Sequence, residues 1–194
     1  MEFFADDGTP LSLPIGGVAR TSLAVSLGAK SVAHIVTDGT SPTIKVGWAR
    51  LTQTAVAAWF AIGGSAIFQT VNNGRIAAEA GVSSSPLASH FMTPVNSLGS
   101  TQSGLAICNP NNANVSVTFR LRDPSGQIVD STVRTLAAFE HMAQFFTELF
   151  PAGFNQFKGT VEVVSVGGAV SGVALRYDNS GGTVFATTPV IVMP

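Results

Sequence analysis

Apolar and polar residues alternate most regularly in the segment Val115–Arg122, which reads Val-Ser-Val-Thr-Phe-Arg-Leu-Arg. The valines, Phe119 and Leu121 share one face, and the hydroxyl and arginine side chains share the other. A period of two predicts a strand with one face in a core and one face in water. Gly159–Val163 follows the same pattern, so we expect two half-buried strands in this part of the chain.

Short runs rich in Val, Ile, Thr and Phe are separated by the 20 glycines and 10 prolines of the chain. Regularly spaced short runs between turn residues are typical of all-β sandwiches. Helix signal is scarce: Phe145–Phe150 predicts a single turn before Pro151, and Ile76–Gly81 is too short to stand as a helix, so we interpret it as a connector. Candidate strands in the first half include Thr21–Ser26, Ser31–Val36, Thr43–Thr52 and Ala55–Ile62.

The chain also contains an internal repeat, whose weak matches occur in the same order in both halves. Phe4–Gly8 resembles Leu121–Gly126, and Leu27-Gly28-Ala29 resembles Leu136-Ala137-Ala138. Further on, Gly47–Leu51 pairs with Gly159–Val163, and Gly63–Phe68 pairs with Gly181–Phe185. Collinear self-similarity of this kind indicates repeated structural units.

The repeat predicts two tandem antiparallel β-sandwich domains of the Ig-like type, covering residues 1–82 and 83–194. The boundary follows from the Ser-rich stretch Gly81–Pro86, which is typical of a linker. The second copy opens with two strands, His90–Pro94 and Gly104–Asn109, that have no counterpart in the first. We therefore expect the first domain to lack its opening strand or strands, which would expose unpaired backbone groups.

Three explanations for the unequal copies remain open. The chain is a fragment of a longer array; or residues 86–98 or the C-terminal tail fold back into the gap; or the tail complements the first domain of a neighbouring subunit. The last mode is β-strand addition, which repeated head to tail gives a filament. Candidate assembly strands contain Phe3 and Phe4 at one end of the chain and Val190, Ile191 and Val192 at the other.

Composition narrows the function classes. Hydrophobic residues make up 45% of the chain and charged residues only 11%, with a net charge of −1. The low charge is permissive of self-association, and without a basic face the chain has no signature of nucleic-acid binding. The longest apolar run, Ala55–Ile62, is too short to insert in a membrane. No secretory signal peptide is visible after Met1.

Two stretches in the second half resemble the Ig-like or fibronectin-like β-sandwich repeats of uncharacterised secreted bacterial proteins. They are Thr101–Asn111, with its Gly-Leu-Ala-Ile-x-Asn-Pro motif, and Val115–Gly126, which ends in a Leu-x-Asp-x-x-Gly turn. The stretch Val133–Ala138 completes the similarity. The resemblance implies an exported or cell-surface, structural role and carries no active site.

Candidate chemistry is sparse. His34, His90 and His141 lack metal-ligand spacing, although His34 and His141 are expected at matching positions of the two copies. Cys108 is predicted to be a small buried side chain of a strand. The Gly-x-Ser-x-Gly elbow of hydrolases is missing. The acidic residues are best explained as turn formers, although a calcium ion at Asp6-Asp7 or Asp123 is conceivable.

The sequence thus predicts a non-enzymatic protein without a cofactor: an extracellular structural or adhesive module that self-associates or joins neighbouring repeats. The alternative is a carbohydrate-binding module, for which Trp48 and Tyr177 are the candidate stacking platform. Core packing of both aromatic residues is the simpler interpretation.

Overall fold

The computed structural model describes residues 1–54, 61–72, 75–151, 156–178, 180 and 184–194. The chain is all-β, and every strand pair is antiparallel. Its elements are β1 Glu2–Ala5, β2 Leu13–Ile15, β3 Val18–Arg20, β4 Gly47–Arg50, β5 Ser65–Asn72, β6 Arg75–Ser83, β7 Leu87–Ala88, β8 His90–Asn96, β9 Thr101–Cys108, β10 Val115–Arg122, β11 Ile128–Leu136, β12 His141–Phe145, α1 Phe146–Leu149, β13 Lys158–Val166, β14 Val170–Asp178, β15 Val184–Pro189 and β16 Ile191–Val192.

Residues 87–192 form two five-stranded sheets. One has the order β11-β10-β13-β8-β16, and the other has the order β12-β9-β14-β15 with β7 also paired to β14. The two sheets pack face to face: a Cβ added to Gly172 in β14 would lie 2.9 Å from the Phe91 ring in β8. Every residue of the main hydrophobic core lies between Ala88 and Val190. This region is therefore the β-sandwich of the molecule.

The alternating pattern of β10 produces the predicted half-buried strand. Its four apolar residues are buried, and Phe119 is fully shielded from water. Burying each such side chain contributes about 1.5–3 kcal/mol. The predicted single helical turn is also confirmed as α1, where the Glu148 carboxylate accepts a hydrogen bond from the Phe145 amide at 2.7 Å.

The first 83 residues are organised differently. Their described part forms three two-stranded sheets, β1-β4, β2-β3 and β5-β6. Asp38 holds the turn of the β2-β3 hairpin, because its carboxylate accepts hydrogen bonds from the amides of Gly16 and Gly17 at 2.9 and 2.7 Å. The β5-β6 hairpin approaches the sandwich where the Thr187 hydroxyl of β15 donates to the Gly81 carbonyl of β6.

Several local predictions for the first half were wrong. Thr21–Ser26 and Ser31–Val36 form no strands; residues 21–23 only follow β1, through the bonds Phe3 N–H to Thr21 O and Leu23 N–H to Met1 O. Ile76–Gly81 is not a connector but part of β6, because pairing with β5 outweighs its weak helix preference. Most of the predicted strand Ala55–Ile62 lies outside the described residues. The predicted pair of tandem Ig-like domains is not confirmed and stays a prediction.

Candidate assembly site at the N-terminal strand pair

The N-terminal strand pair, β1 with β4, repeats the geometry of the sandwich pair, β10 with β13. The turn after β1 closes with bonds from Ala5 N–H to Thr9 O and from Gly8 N–H to Ala5 O. The turn after β10 closes with the same two bonds, made by Asp123, Gln127 and Gly126. Gly8 and Gly126 have positive φ angles of 81° and 86°, a conformation that suits glycine.

The register across the two pairs is also the same. Phe4 lies opposite Trp48 as Arg122 lies opposite Thr160. Gly47 precedes Trp48, and Gly159 precedes Thr160. The Phe4 carbonyl oxygen lies so close to Gly47, and the Arg122 carbonyl oxygen so close to Gly159, that an added Cβ would collide with it. The sequence match of these two glycines therefore marks a real requirement for close backbone approach.

Two further features recur in both regions. The ion pair of Glu2 with Arg50, at 2.9 Å, lies at the same register position as that of Arg120 with Glu162, at 3.5 Å, with the charges exchanged. The positive-φ non-glycine residues of the described chain, Lys30 at 59° and Phe139 at 61°, each precede a residue whose amide bonds back three positions along the chain. The backbone at Lys30 thus forms the same kind of turn as the backbone at Phe139.

The structure corrects the sequence alignment by one residue. Phe4 is equivalent to Arg122, and not to Leu121 as the sequence match suggested, so Phe3 is the counterpart of Leu121. A shift of one residue exchanges the two faces of a strand. The face of the N-terminal strand pair that bears Phe4, Trp48 and Arg50 therefore corresponds to the outer face of the sandwich.

That outer face docks on a corner of the sandwich formed by residues 109–111 and 137–141. The Phe4 ring stacks between the rings of Trp48 and Phe139, at centroid distances of 4.7 and 5.0 Å. The Trp48 indole N–H donates to the Phe139 carbonyl at 2.9 Å. The Arg50 guanidinium lies 5.2 Å from both phenylalanine ring centroids and donates to the Pro110 carbonyl.

A polar contact completes the junction. Asp6 accepts a hydrogen bond at its carbonyl from the His141 amide, and its carboxylate lies 2.8 Å from His141 Nδ1. The His141 side chain is largely buried, while the predicted counterpart His34 is exposed and outside any strand. The prediction that these two histidines occupy matching positions was therefore wrong.

The motif on which the family resemblance rests builds this corner. Asn109 is fully buried, and its amide donates to the carbonyls of Ala113, Leu136 and Ala137. The Asn109 side-chain oxygen accepts from Asn111. The Asn109-Pro110-Asn111 segment is thus hydrogen-bonded to the chain at Ala113 and at residues 136–137. It also positions the Pro110 carbonyl to accept a hydrogen bond from Arg50. Sequence reasoning missed the docking role of Arg50 and Phe139, which no local pattern signals.

The candidate assembly residues lie in two different places. Phe3 and Phe4 are buried in the N-terminal strand pair. Val190 belongs to the sandwich core, and Ile191 and Val192 form β16, which pairs with β8 at the edge of the same sandwich. Residues 90–96 are also part of this sandwich. In this structure neither segment fills a gap in the first half, so the fold-back explanation was wrong.

The candidate carbohydrate residues are separated as well. Trp48 is half-buried at the docking corner, with its ring face against Phe4 and its N–H satisfied. Tyr177 lies in β14 and meets the Phe145 ring edge-on at 6.2 Å. The depression beside Phe145 measures about 280 Å³, slightly below the usual range for small-molecule pockets.

The most polar cluster of the sandwich surrounds Glu162. Its carboxylate accepts bonds from Arg122 at 2.6 Å and contacts His90 at 3.0 Å. Partial burial disfavours the Glu162 carboxylate, but the hydrogen bonds from Arg122 and His90 and the charge of Arg120 outweigh it and lower its pKa. Arg120, Arg122 and His90 all engage the Glu162 carboxylate, so the cluster fits a structural ion-pair network on the outer face of β13.

We also searched the described residues for metal-ligand clusters, reactive thiols and membrane-spanning helices. They contain no group of three or more His, Cys, Asp or Glu side chains placed to hold a metal ion. Cys108 is buried in β9 as predicted, and its burial raises the pKa of the thiol to about 12. No helix within the described ranges has the length and apolar character needed to cross a membrane.

Large apolar side chains are exposed in both halves, with twelve in the described part of the first half and nine in residues 84–194. Ile44 is 91% exposed and Val32 77% exposed, and neither packs on the sandwich core. The exposed large apolar residues of this half are Val18, Val25, Leu27, Val32, Val36, Ile44, Val46, Leu51, Ile62, Ile67, Phe68 and Ile76.

Comparison with known proteins gives a structural likeness but no match in sequence. No protein-family model matches the chain, and no curated protein matches it in sequence. Among solved structures, the chain is similar to the crystal structure of Thermotoga maritima 1070, with 14% sequence identity and a TM-score of 0.46. The match covers 55% of this chain and 95% of that one.

Proposed function

We propose that this protein is a non-enzymatic structural or adhesive β-sandwich module of the cell exterior, which self-associates head to tail by strand complementation. The observation that carries the proposal is the contrast in burial between the two halves. Residues 87–192 enclose a complete core, whereas the first half leaves side chains such as Val32, Ile44 and Leu51 in water.

Association would remove this surface from water, which contributes about 25 cal/mol per Å² of apolar area. Little opposes such contact electrostatically, because the chain carries 10 basic and 11 acidic residues. In this proposal the sandwich is the folded core of the module, and the exposed apolar residues of the first half form the surface through which copies associate. An exported location and an adhesive role follow from the resemblance to secreted repeats and belong to the proposal.

Sedimentation velocity of the full chain over a range of concentrations tests the proposal. We expect oligomers in the wild type, and a weaker association in the double variant Val32→Ser with Ile44→Ser. The matched control is Val133→Ser with Val166→Ser, which removes exposed apolar side chains from the sandwich instead. A wild type that stays monomeric, or equal effects of the two double variants, would contradict the proposal.

The alternative function, carbohydrate binding, makes a different prediction for Trp48. A glycan array would show binding that is lost in Trp48→Ala if this ring is a platform. The contacts of Trp48 with Phe4 and Phe139 favour a docking role instead, so we expect Trp48→Ala to loosen the N-terminal strand pair and to leave the array signal unchanged.

A further inference from the structure

Strand β11 forms one edge of the sandwich, and its outer side has no strand partner among the described residues. It has nine residues, whereas the other strands at the ends of the two sheets have six in β15, five in β12 and two in β16. β15 is also approached by the β5-β6 hairpin, through the Thr187 hydroxyl. Proteins usually shorten or cover their edge strands, so β11 is the edge that stays available for pairing.

The register of the β10-β11 pair shows which backbone groups point outward. The Asp123 N–H bonds across the turn to the residue that precedes β11. Because backbone groups alternate along a strand, Leu121 also points toward β11, and its partner Asp130 points back toward β10. The N–H and C=O groups that point to the outer edge are therefore those of Ser131, Val133 and Thr135. All three side chains are exposed, and none of these groups bonds to another strand in the described part of the chain.

Only local contacts occupy this edge within the described chain. The Asp130 carboxylate accepts a bond from the Ser131 N–H at 2.7 Å. The Arg134 guanidinium lies 3.4 Å from the Val133 carbonyl and 3.5 Å from the Thr132 hydroxyl. These contacts join near neighbours at the protein surface, so a second strand can replace them. Neither charged side chain belongs to an ion pair with another described residue.

The two charges of β11 lie symmetrically about Thr132. Asp130 precedes it by two residues and Arg134 follows it by two, so all three share one face of the strand. If two copies of β11 pair antiparallel with Thr132 opposite Thr132, Asp130 of each copy lies opposite Arg134 of the other. Ser131 of each copy then lies opposite Val133 of the other, which brings their outward backbone groups into hydrogen-bonded pairs.

We infer that the outer edge of β11 is a self-pairing surface, occupied by β11 of a second copy across a twofold axis at Thr132. The two five-stranded sheets then join into one continuous sheet. Opposite charges directly across an antiparallel pair are stabilising. This register is therefore favoured over the neighbouring ones, in which Arg134 or Asp130 faces Thr132 instead. The contact is isologous and uses none of the exposed apolar residues of the first half, so it goes beyond the head-to-tail association proposed above.

Disulfide trapping of the full chain tests the register. Thr132→Cys places two thiols at the twofold axis, where facing Cα atoms lie about 4.5 Å apart, within the range of a disulfide. The control is Val133→Cys, because its two copies are offset by two residues, which is about 7 Å along the strand. Oxidised glutathione serves as the oxidant. Cys108 is buried and does not compete.

We expect the covalent dimer to form about tenfold faster in Thr132→Cys than in Val133→Cys, because only the first pair meets the geometry of a disulfide. Val133 is the more exposed of the two residues, so accessibility alone would give the opposite order. Equal rates, or faster trapping of Val133→Cys, would overturn the inference.

Charge reversal tests the pairing without a covalent bond. Asp130→Arg places two arginines opposite each other at both ends of the contact, and Arg134→Asp does the same with two carboxylates. Each variant should weaken the dimer by about tenfold in sedimentation equilibrium. An equal mixture of the two variants restores opposite charges at both places, so it should form a heterodimer. A mixture that associates no more tightly than either variant alone would refute the register.

The outcomes separate this inference from the proposed function. Trapping at Thr132 in a chain whose association is unaffected by Val32→Ser with Ile44→Ser supports the β11 contact and contradicts the head-to-tail contact. Oligomers that dissociate in that double variant, persist in Asp130→Arg and are not trapped at Thr132 leave the proposed function standing and overturn the β11 contact. Val133→Ser keeps the outward backbone groups and both charges, so β11 pairing should persist in it.

Discussion

The N-terminal strand pair and the sandwich pair have the same backbone geometry but differ in which of their faces pack against the rest of the protein. Both have the same turn, the same register and the same close approach at a glycine. In the sandwich pair the inner face is buried and the outer face carries Arg122, Thr160 and Glu162. In the N-terminal pair the outer face carries Phe4, Trp48 and Arg50 and docks, while the inner face is buried at Phe3 and exposed at Ala49.

The difference shows that backbone geometry does not decide which face of a sheet is buried. Phe4, Trp48 and Arg50 occupy the positions of Arg122, Thr160 and Glu162 and contribute the side chains of the docking surface. On the inner face of the N-terminal pair Phe3 is buried and Ala49 is exposed, so this face is covered only in part.

The largest contrast is expected for the equivalent positions Leu121 and Phe3. Leu121→Ala opens a cavity in the sandwich core, where Leu121 is 1% exposed, and should lower the free energy of unfolding by about 2–5 kcal/mol. Phe3→Ala should loosen only the N-terminal strand pair. Urea denaturation measures the first effect, and hydrogen exchange of β1 and β4 amides measures the second. A global loss of similar size in Phe3→Ala would show that the two regions unfold together.

The two glycines of the shared register should give the next largest effect. Gly159→Ala forces a Cβ against the Arg122 carbonyl and should destabilise the sandwich by about 1–3 kcal/mol. Gly47→Ala makes the same collision with the Phe4 carbonyl, so it should displace β4 while the main unfolding transition is retained. Gly81→Ala is the control, because nothing lies within 4 Å of its added Cβ. Thermal unfolding that is indifferent to Gly159→Ala would refute the equivalence.

The exchanged ion pairs should differ because their burial differs. Glu162→Gln removes a carboxylate that is held by Arg122 and should cost about 1.5–3 kcal/mol. Glu2→Gln affects a pair whose side chains are 43% and 32% exposed, so about 0.2–1 kcal/mol is expected. The measurement is the free energy of unfolding of each variant against the wild type at pH 7.

The stabilising contribution of Glu162 should depend on pH. Because the pKa of Glu162 is lowered in the folded state, its contribution is present in full above the unfolded pKa and is lost as the pH falls through the folded value. The difference in stability between wild type and Glu162→Gln should therefore shrink in acid. A difference that grows as the pH falls would contradict the assigned hydrogen bonds.

The smallest effect concerns the two matching turns. A hydrogen bond from the Thr9 hydroxyl lowers the pKa of Asp7, and one from the Ser125 hydroxyl lowers the pKa of Asp123. Both carboxyl groups should titrate below the ordinary aspartate value when followed by carbon-13 NMR. Thr9→Ala should raise the pKa of Asp7 and leave that of Asp123 unchanged, and Ser125→Ala should do the reverse. Unchanged titration in either variant would exclude the turn geometry.

The sequence by itself determined the all-β class, the alternating strand β10 and the single turn of α1. It also marked Gly8 with Gly126 and Gly47 with Gly159 as repeated positions. These predictions succeed because they depend on local chemistry: a period of two places side chains on alternate faces, and tight turns or close backbone approaches admit glycine.

Only the tertiary structure decided where the tail lies, which residue of β1 matches Leu121, and which face of the N-terminal pair is covered. Strand pairing joins residues far apart in sequence, and its register exchanges both faces with a slip of one residue. The sequence around Phe4 fits either face equally well. The stacking of Phe4 on Phe139 and the hydrogen bond from the Trp48 indole to the Phe139 carbonyl, 91 residues further along the chain, turn this face toward the sandwich.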